Sequence, residues 1–150
     1  NYVIRVKGEI DKPKQVIMDY LKQLKKQNEW SVWVMNDPNA QMDYKGIDGT
    51  IGFVSAWKSK VKNVGEGKQE ITAITDSSIE TSLRFIKPFA SIAKAHMLVH
   101  SINENKCEVT FEFYGQSLHY PLNVLTLLMK NMLTNAQKNN IQNVKKNLEK

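Results

Sequence analysis

The sequence predicts an α+β fold in which a curved, seven-stranded antiparallel sheet wraps around one long C-terminal helix. The prediction rests on strand-like alternation over residues 2–10, two short helical segments after it, and six strand-like stretches that precede a long helical repeat. Short connections between consecutive strands favour an antiparallel meander. Each strand has one polar face, so one side of the sheet should face water and the long helix should cover the other.

The long helix is predicted over residues 121–148, which begin with a proline and contain no internal proline or glycine. Proline is well tolerated at the first helical position. At 1.5 Å per residue this helix would be about 40 Å long. Its apolar residues advance by threes and fours and form one stripe, opposite a face of lysine, asparagine and glutamine. The stripe consists of Leu122, Leu125, Met129, Met132, Leu133, Ala136, Ile141, Val144 and Leu148.

The first strand and the short helices come from the N-terminal third of the chain. Residues 2–10 alternate apolar and polar side chains, the pattern of a strand with one wet face. Asp11 is the predicted N-cap of the first short helix, with Pro13 near its first position. Residues 29–36 are too apolar for a free loop and predict a second short helix against the core, which the turn at residues 37–39 ends.

The six later strands are predicted from alternation and from the turns between them. Turn sequences occur at residues 48–49, 65–67, 76–77 and 103–105, and Pro88 interrupts the alternation. A strongly curved sheet and a single helix rarely fill the space between them, so this helix-grip arrangement predicts a residual apolar pocket. The strands are expected at residues 41–45, 53–58, 68–74, 79–85, 93–99 and 107–113.

Composition indicates one globular domain over residues 1–150, with 41% hydrophobic and 24% charged residues. The net charge of +6 permits attraction to anionic surfaces, but the basic residues are spread along the chain, which favours a solvated surface over nucleic-acid recognition. The sequence contains no run of about 18 apolar residues, so it predicts no transmembrane helix. Because residue 1 is Asn beside a strand, we expect that an upstream signal or hydrophobic anchor has been removed. The sequence leaves the localisation open between cytoplasmic and, if that segment is an anchor, membrane-anchored.

The histidines and the cysteine do not predict a metal site or a nucleophile. On a strand, His96 and His100 would lie about 13 Å apart, too far to share one ion. They also alternate with Met97 and belong to the polar face. The single Cys107 cannot form an internal disulfide and is expected to be a buried small side chain.

The acidic residues of the predicted strands are expected to form ion pairs. Glu70, Glu80 and Glu112 lie on polar faces, with Arg84 near them in strand order. Cross-strand ion pairs explain this placement better than a general acid and base do. No catalytic residue, metal ligand or cofactor is therefore predicted.

Several motifs, in their order and spacing, resemble one known family over essentially the whole chain. They are DKPKQV at residues 11–16, WSVW at 30–33 with the following Asp37-Pro38, the glycine-flanked loop 46–52 before the strand that carries Trp57, FIKPF at 85–89 and YPLN at 120–123. This pattern is similar to the polyketide cyclase/dehydrase-like branch of the SRPBCC superfamily, which includes START lipid-transfer domains and the birch-pollen allergen fold. The resemblance implies a ligand cavity and is compatible with an N-terminal membrane segment, but it supplies no catalytic motif.

The predicted cavity lies between the inner face of the sheet and the long helix. Its apolar lining would come from both, and three polar residues on the same face could orient a hydroxyl or carbonyl group of a ligand. A filled core of methionine and aromatic side chains is the alternative. The predicted lining is Tyr44, Phe53, Ser55, Trp57, Gln69, Thr81, Phe85, Met97, Phe111, Phe113, Leu125, Met129 and Met132.

Three functions are compatible with this pattern. The first is non-enzymatic binding of an apolar or amphipathic small molecule, such as a lipid, an isoprenoid or an aromatic metabolite. The second is a cyclase, dehydrase or hydrolase reaction that uses polar groups in the same cavity. The third is a membrane-surface or nucleic-acid module that acts through positive charge, whose binding would weaken steeply with salt.

Overall fold

The computed structural model describes residues 1–62, 64–87, 90–116 and 124–150. One antiparallel sheet contains seven strands in the order β1-β7-β6-β5-β4-β3-β2, and a long helix follows the last strand. The predicted fold class is therefore confirmed. The elements are β1 (Tyr2–Ile10), α1 (Lys14–Leu21), α2 (Gln27–Trp30), α3 (Val32–Met35), β2 (Gln41–Lys45), β3 (Val54–Lys58), β4 (Glu66–Ile74), β5 (Ser78–Lys87), β6 (Ser91–Asn103), β7 (Lys106–Gly115) and α4 (Val124–Leu148).

The main core lies between the inner face of the sheet and the C-terminal half of α4. Alternate residues of β1 and β7 point into it, since the strands pair in register from Tyr2 with Gly115 to Ile10 with Cys107. Ile141 and Val144 of α4 are buried against these strands. Each fully buried aliphatic side chain of this kind contributes roughly 1.5–3 kcal/mol relative to an exposed one. This half of the helix therefore anchors α4 on the sheet.

The second short helix is divided into two single turns. Ser31 separates α2 from α3 with extended backbone, at φ −78° and ψ 120°. The sequence predicted one continuous segment there. A turn of 3₁₀ helix at Leu24–Lys26 also joins α1 to α2.

The predicted N-cap of α1 is wrong. The residue before the helix is Pro13, which is extended and makes no side-chain cap, so Asp11 lies too far from the first helical amides. The backbone N–H of Asp11 instead donates to Glu149 Oε2 at 3.1 Å. The predicted helix start at Pro121 and the interruption at Pro88 fall outside the described residues.

Three asparagines of α4, hereafter the asparagine row (Asn140, Asn143 and Asn147), bind the backbone at the break between α2 and α3. Asn140 Oδ1 accepts the N–H of Val32 at 2.8 Å. Asn143 Nδ2 donates to the carbonyl of Trp30 at 3.0 Å. Asn147 Nδ2 donates to the carbonyl of Glu29 at 3.0 Å. The row thus satisfies backbone groups that such short helices leave unpaired.

Tyr20 extends this contact from α1. Its hydroxyl donates to Glu29 Oε1 at 3.0 Å and accepts from Asn147 Nδ2 at 3.1 Å. Burial raises the pKa of Tyr20 to about 12, so the phenol remains protonated over the physiological range.

In the described part of the chain, no helix combines the length and the apolar character that crossing a membrane requires.

Replacing Asn140 with alanine should destabilise the protein by about 1–3 kcal/mol, because the Val32 amide loses its acceptor at a site where Asn140 itself is only 3% exposed. Urea unfolding midpoints measure the change. The exposed neighbour provides the control, and Asn139→Ala should stay within about 0.5 kcal/mol of the parent. Equal midpoints for both variants would show that the row does not hold the short helices.

Candidate functional site

A cavity of about 390 Å³ lies between the inner face of the sheet, the short helices and the N-terminal half of α4. It forms where the helix no longer seals the sheet. Met129, Met132 and Leu133 of α4 line it, and Met132 remains 43% exposed. The apolar stripe of α4 therefore has two environments, a buried one at its C-terminal half and a cavity wall at its N-terminal half.

Nine of the thirteen predicted lining residues border this cavity. Thr81 is not among them but accepts a hydrogen bond from Gln69 Nε2 at 3.0 Å. The side chain of Leu125 lies outside the described residues. The nine are Ser55, Trp57, Gln69, Phe85, Met97, Phe111, Phe113, Met129 and Met132.

Tyr44 and Phe53 do not border the cavity. Phe53 is 1% exposed and packs with Leu24 and Ile71 in a second core cluster. The ring of Tyr44 stacks on Phe53 at 6.0 Å and carries Lys25 Nζ 4.8 Å above its centroid.

The loop between β2 and β3 explains this difference. Asp48 accepts the backbone N–H of Leu24 at 2.7 Å and that of Lys25 at 3.0 Å. These two bonds hold the 3₁₀ turn at Leu24–Lys26 over this end of the sheet, and the turn fills the space there. The alternation placed Tyr44 and Phe53 on the inner face but could not show that this end of the face is occupied.

Aromatic rings stand at both sides of the cavity, each over a glycine. Trp57 Nε1 donates to the carbonyl of Val64 at 3.1 Å, and its ring meets Phe85 edge-on at 6.0 Å. A Cβ atom on Gly67 would lie 2.7 Å from Trp57 Cζ2. On the other side Tyr2 packs on Phe113 at 6.3 Å and covers Gly115 in the same way, and burial raises the pKa of Tyr2 above its ordinary value.

Ser55 and Gln69 form a polar pair within this apolar lining. They are register partners on β3 and β4 and are 7% and 8% exposed. Gln69 holds Thr81 through its amide nitrogen. Within the described ranges no residue hydrogen-bonds to Ser55 Oγ or Gln69 Oε1. The pair therefore presents a hydroxyl group and an amide oxygen that remain available to hydrogen-bond.

Trp30 is a lining residue that the sequence reasoning missed. It lies at the end of α2, is 4% exposed, and packs on Phe111 with ring centroids 5.5 Å apart. The dense apolar run of residues 29–36 signalled burial, but it did not show which member would reach the cavity. Gln137 and Asn140 also line the cavity from a helix face that reads as polar.

The outer face of the sheet carries His96 and His100, as predicted. His96 lies between Glu80 Oε1 at 3.4 Å and Glu112 Oε1 at 3.7 Å, and His100 is exposed. Among the described residues, no group of three or more His, Cys, Asp or Glu could hold a metal ion. Cys107 is fully buried and faces the carbonyl of Lys12.

Glu112 pairs with Arg5, not with Arg84. Arg5 Nε donates to Glu112 Oε2 at 2.5 Å, and Tyr114 donates to the other carboxylate oxygen at 2.8 Å. Burial raises the pKa of Glu112, but the hydrogen bonds from Arg5 and Tyr114 outweigh it and lower the pKa below its ordinary value. The register places Arg5 directly opposite Glu112, whereas Arg84 lies opposite Ile92.

Comparisons with known proteins place this architecture among solved structures. No protein-family model and no curated protein sequence matches the chain. Truncated norcoclaurine synthase from Thalictrum flavum matches with a TM-score of 0.72 and 11% identity, over 98% of this chain and 92% of that chain. Protein MLL2253 from Mesorhizobium loti matches with a TM-score of 0.70 and 12% identity, over 99% and 97%. Ara h 8.0201 matches with a TM-score of 0.56 and 11% identity, over 95% and 97%. At these identities the likeness shows the fold, and the chain has the helix-grip fold.

Proposed function

We propose that this protein binds an apolar or amphipathic small molecule, such as a lipid, an isoprenoid or an aromatic metabolite, in the cavity between the sheet and α4. The observation that carries the proposal is a space of about 390 Å³ lined by aromatic and methionine side chains. That volume lies within the ordinary range of small-molecule pockets, roughly 300–1,000 Å³. We further propose, from the motifs quoted above, that within the helix-grip superfamily the chain belongs to the polyketide cyclase/dehydrase-like branch.

The polar pair Ser55 and Gln69 gives the ligand an orientation. Both residues are neutral, lie side by side on the sheet, and can exchange hydrogen bonds with a hydroxyl or carbonyl group. Their position among aromatic rings favours a molecule with an apolar body and one small polar group.

A reaction of cyclase, dehydrase or hydrolase type in the same cavity is the second candidate. Four acidic or basic residues, Asp37, Lys87, His96 and Glu112, also line the cavity. The side chains of His96 and Glu112 pair with each other and with Glu80 and Arg5 on the outer face of the sheet, so Asp37 and Lys87 are the groups that could act on a bound molecule. However, Asp37 already accepts hydrogen bonds from Ser59 Oγ and from the N–H of Asn39, and Lys87 is exposed. Neither is buried, as a group tuned for proton transfer usually is, so we favour binding.

Uptake of a neutral fluorescent probe, N-phenyl-1-naphthylamine, tests the cavity. Met129→Trp should abolish uptake while the free energy of unfolding changes little, because the larger ring fills existing space. In a packed core the same change would cost about 1–3 kcal/mol. Met129→Ala should cost less than the roughly 2–5 kcal/mol typical of a filled core.

The matched control is Leu128→Trp, since Leu128 is 65% exposed on the same helix and should tolerate the ring without losing uptake. Uptake should persist at high salt, because it depends on apolar contact and not on counterion release. Strong destabilisation by both Met129 variants, with no uptake by the parent protein, would exclude the cavity.

Selection between 1-octanol and octane, measured by displacement of the same probe, tests the polar pair. The parent protein should bind the alcohol more tightly than the alkane. In the double variant Gln69→Leu with Thr81→Val the ratio of the two affinities should fall about five-fold, which corresponds to the loss of one hydrogen bond. Changing both residues avoids leaving the Thr81 hydroxyl buried and unpaired. Gln41→Leu, at an exposed site on β2, is the control. An unchanged preference in the double variant would remove Gln69 from the binding site.

A further inference from the structure

Two cations lie directly opposite each other on the outer face of the sheet. The register of β4 and β5 pairs Lys68 with Arg84, and both side chains are exposed. Like charges at such positions lower stability. On β1 and β7, by contrast, a lysine meets a carboxylate, as Lys7 meets Glu108 at 3.8 Å. Among residues 1–62, 64–87, 90–116 and 124–150, neither Lys68 nor Arg84 has an ion-pair partner.

Three further cations surround this pair. Lys58 and Lys87 lie on either side of Glu66 in the register of β3, β4 and β5, and Lys94 lies on β6 opposite Ser82. These residues are far apart in the sequence, and strand pairing brings them together. All are exposed, and they form the cationic patch, which consists of Lys58, Lys68, Arg84, Lys87 and Lys94.

The charge of this region is positive. The carboxylates that border the patch belong to Glu66, Glu70 and Glu80, and the patch cations outnumber them. The hairpin that follows Lys58 adds the exposed side chains of Lys60 and Lys62 and no carboxylate. A partner with negative charge would therefore relieve the repulsion that the strand pairing creates.

Exposed isoleucines lie among these cations. Ile92 is the register partner of Arg84, and Ile86 directly precedes Lys87 on β5; each isoleucine is 47% exposed. Ile92 and Lys87 also border the cavity, so the patch reaches its rim. Apolar side chains beside lysine and arginine are the composition of protein surfaces that lie on anionic membranes.

The width of the patch and its isoleucines restrict the partner. From β3 to β6 the patch spans three strand spacings, about 15 Å, which is too wide for one small anion. A nucleic acid would supply charge, but surfaces that bind single strands offer aromatic rings for the bases, and isoleucines gain nothing against phosphate. A bilayer with anionic lipids supplies both phosphate or carboxylate charge and an apolar interface.

We propose that the cationic patch docks this protein on a bilayer that contains anionic lipids, with Ile86 and Ile92 entering the interface. The inference adds a partner to the proposed function and does not depend on what the cavity binds. Docking in this way would bring the rim of the cavity to the membrane surface.

Sedimentation with vesicles of phosphatidylcholine, prepared with and without phosphatidylserine, tests the inference. The parent protein should bind the vesicles that contain phosphatidylserine far more tightly, and added salt should weaken this binding because it screens the charges. Lys68→Gln with Arg84→Gln should weaken it about twenty-five-fold, since each cation near an anionic surface contributes a factor of about five. This variant removes a repulsion and should unfold at no lower urea concentration than the parent.

Two further variants separate the patch from net charge and the bilayer from other polyanions. Lys138→Gln with Lys146→Gln removes the same charge from exposed positions on α4 and should change binding by less than about two-fold. Ile86→Ser should weaken vesicle binding about five-fold, because its exposed part loses an apolar contact. A soluble single-stranded RNA offers charge without an apolar interface and serves as the competing partner.

The outcomes decide the inference without the cavity. Absence of binding by the parent protein, or equal loss in the two charge variants, would overturn it. Retention of RNA that depends on Lys68 and Arg84 but not on Ile86, without vesicle binding, would assign the patch to nucleic acid and also overturn it. Lys68 and Arg84 do not border the cavity, so the Lys68 and Arg84 variant should take up N-phenyl-1-naphthylamine as the parent does. Failure of uptake therefore counts against the cavity alone, and failure of vesicle binding against the patch alone.

Discussion

The hydrogen bonds from the asparagine row to the break between α2 and α3 are the interaction on which the rest of the site depends. Helices of one turn cannot pair most of their own amides and carbonyls, and they are not stable alone. Asn140, Asn143 and Asn147 replace those missing partners with side chains from a helix that the core holds. The position of Trp30, and with it the helical wall of the cavity, follows from this arrangement.

The long helix separates stability from binding along its length. Its C-terminal half buries Ile141 and Val144 against β1 and β7, where close packing resists change. Its N-terminal half presents Met129 and Met132 to a cavity. Methionine is suited to that wall because its unbranched thioether adapts to different neighbours. Since the anchor lies at one end, the other end can border empty space without loss of the fold.

Alternation and turn sequences were sufficient to predict all seven strands. Each strand has one buried and one solvent-exposed face, and the period of two determines which residues belong to each face. The same signal brought Trp57, Phe85, Met97 and Phe111 to one cavity. It could not show that the contacts of Asp48 close the end of the sheet at Phe53, since a loop's tertiary hydrogen bonds leave no periodic trace.

The polar partners were harder to predict than the apolar ones. Asn140 lies among lysines, asparagines and glutamines, and residue type does not distinguish a solvated asparagine from one that caps a buried amide. The partner of Glu112 depended on strand order as well as on face, because β1 joins the sheet beside β7 and brings Arg5 opposite. Trp30 was recognisable as buried, but its neighbours depend on the break at Ser31, which no proline or glycine marks.

The two glycines beneath aromatic rings set the width of the cavity across the strands. Gly67 and Gly115 lie on β4 and β7, on opposite sides of the central strands, and each lets a ring lie directly on the backbone of the sheet. The lateral walls are therefore rings backed by hydrogen-bonded main chain, which has little room to yield. Between them the walls are the thioethers of Met97, Met129 and Met132. The space is thus bounded firmly across the strands and softly between sheet and helix, so its thickness can adapt to an occupant while its span cannot.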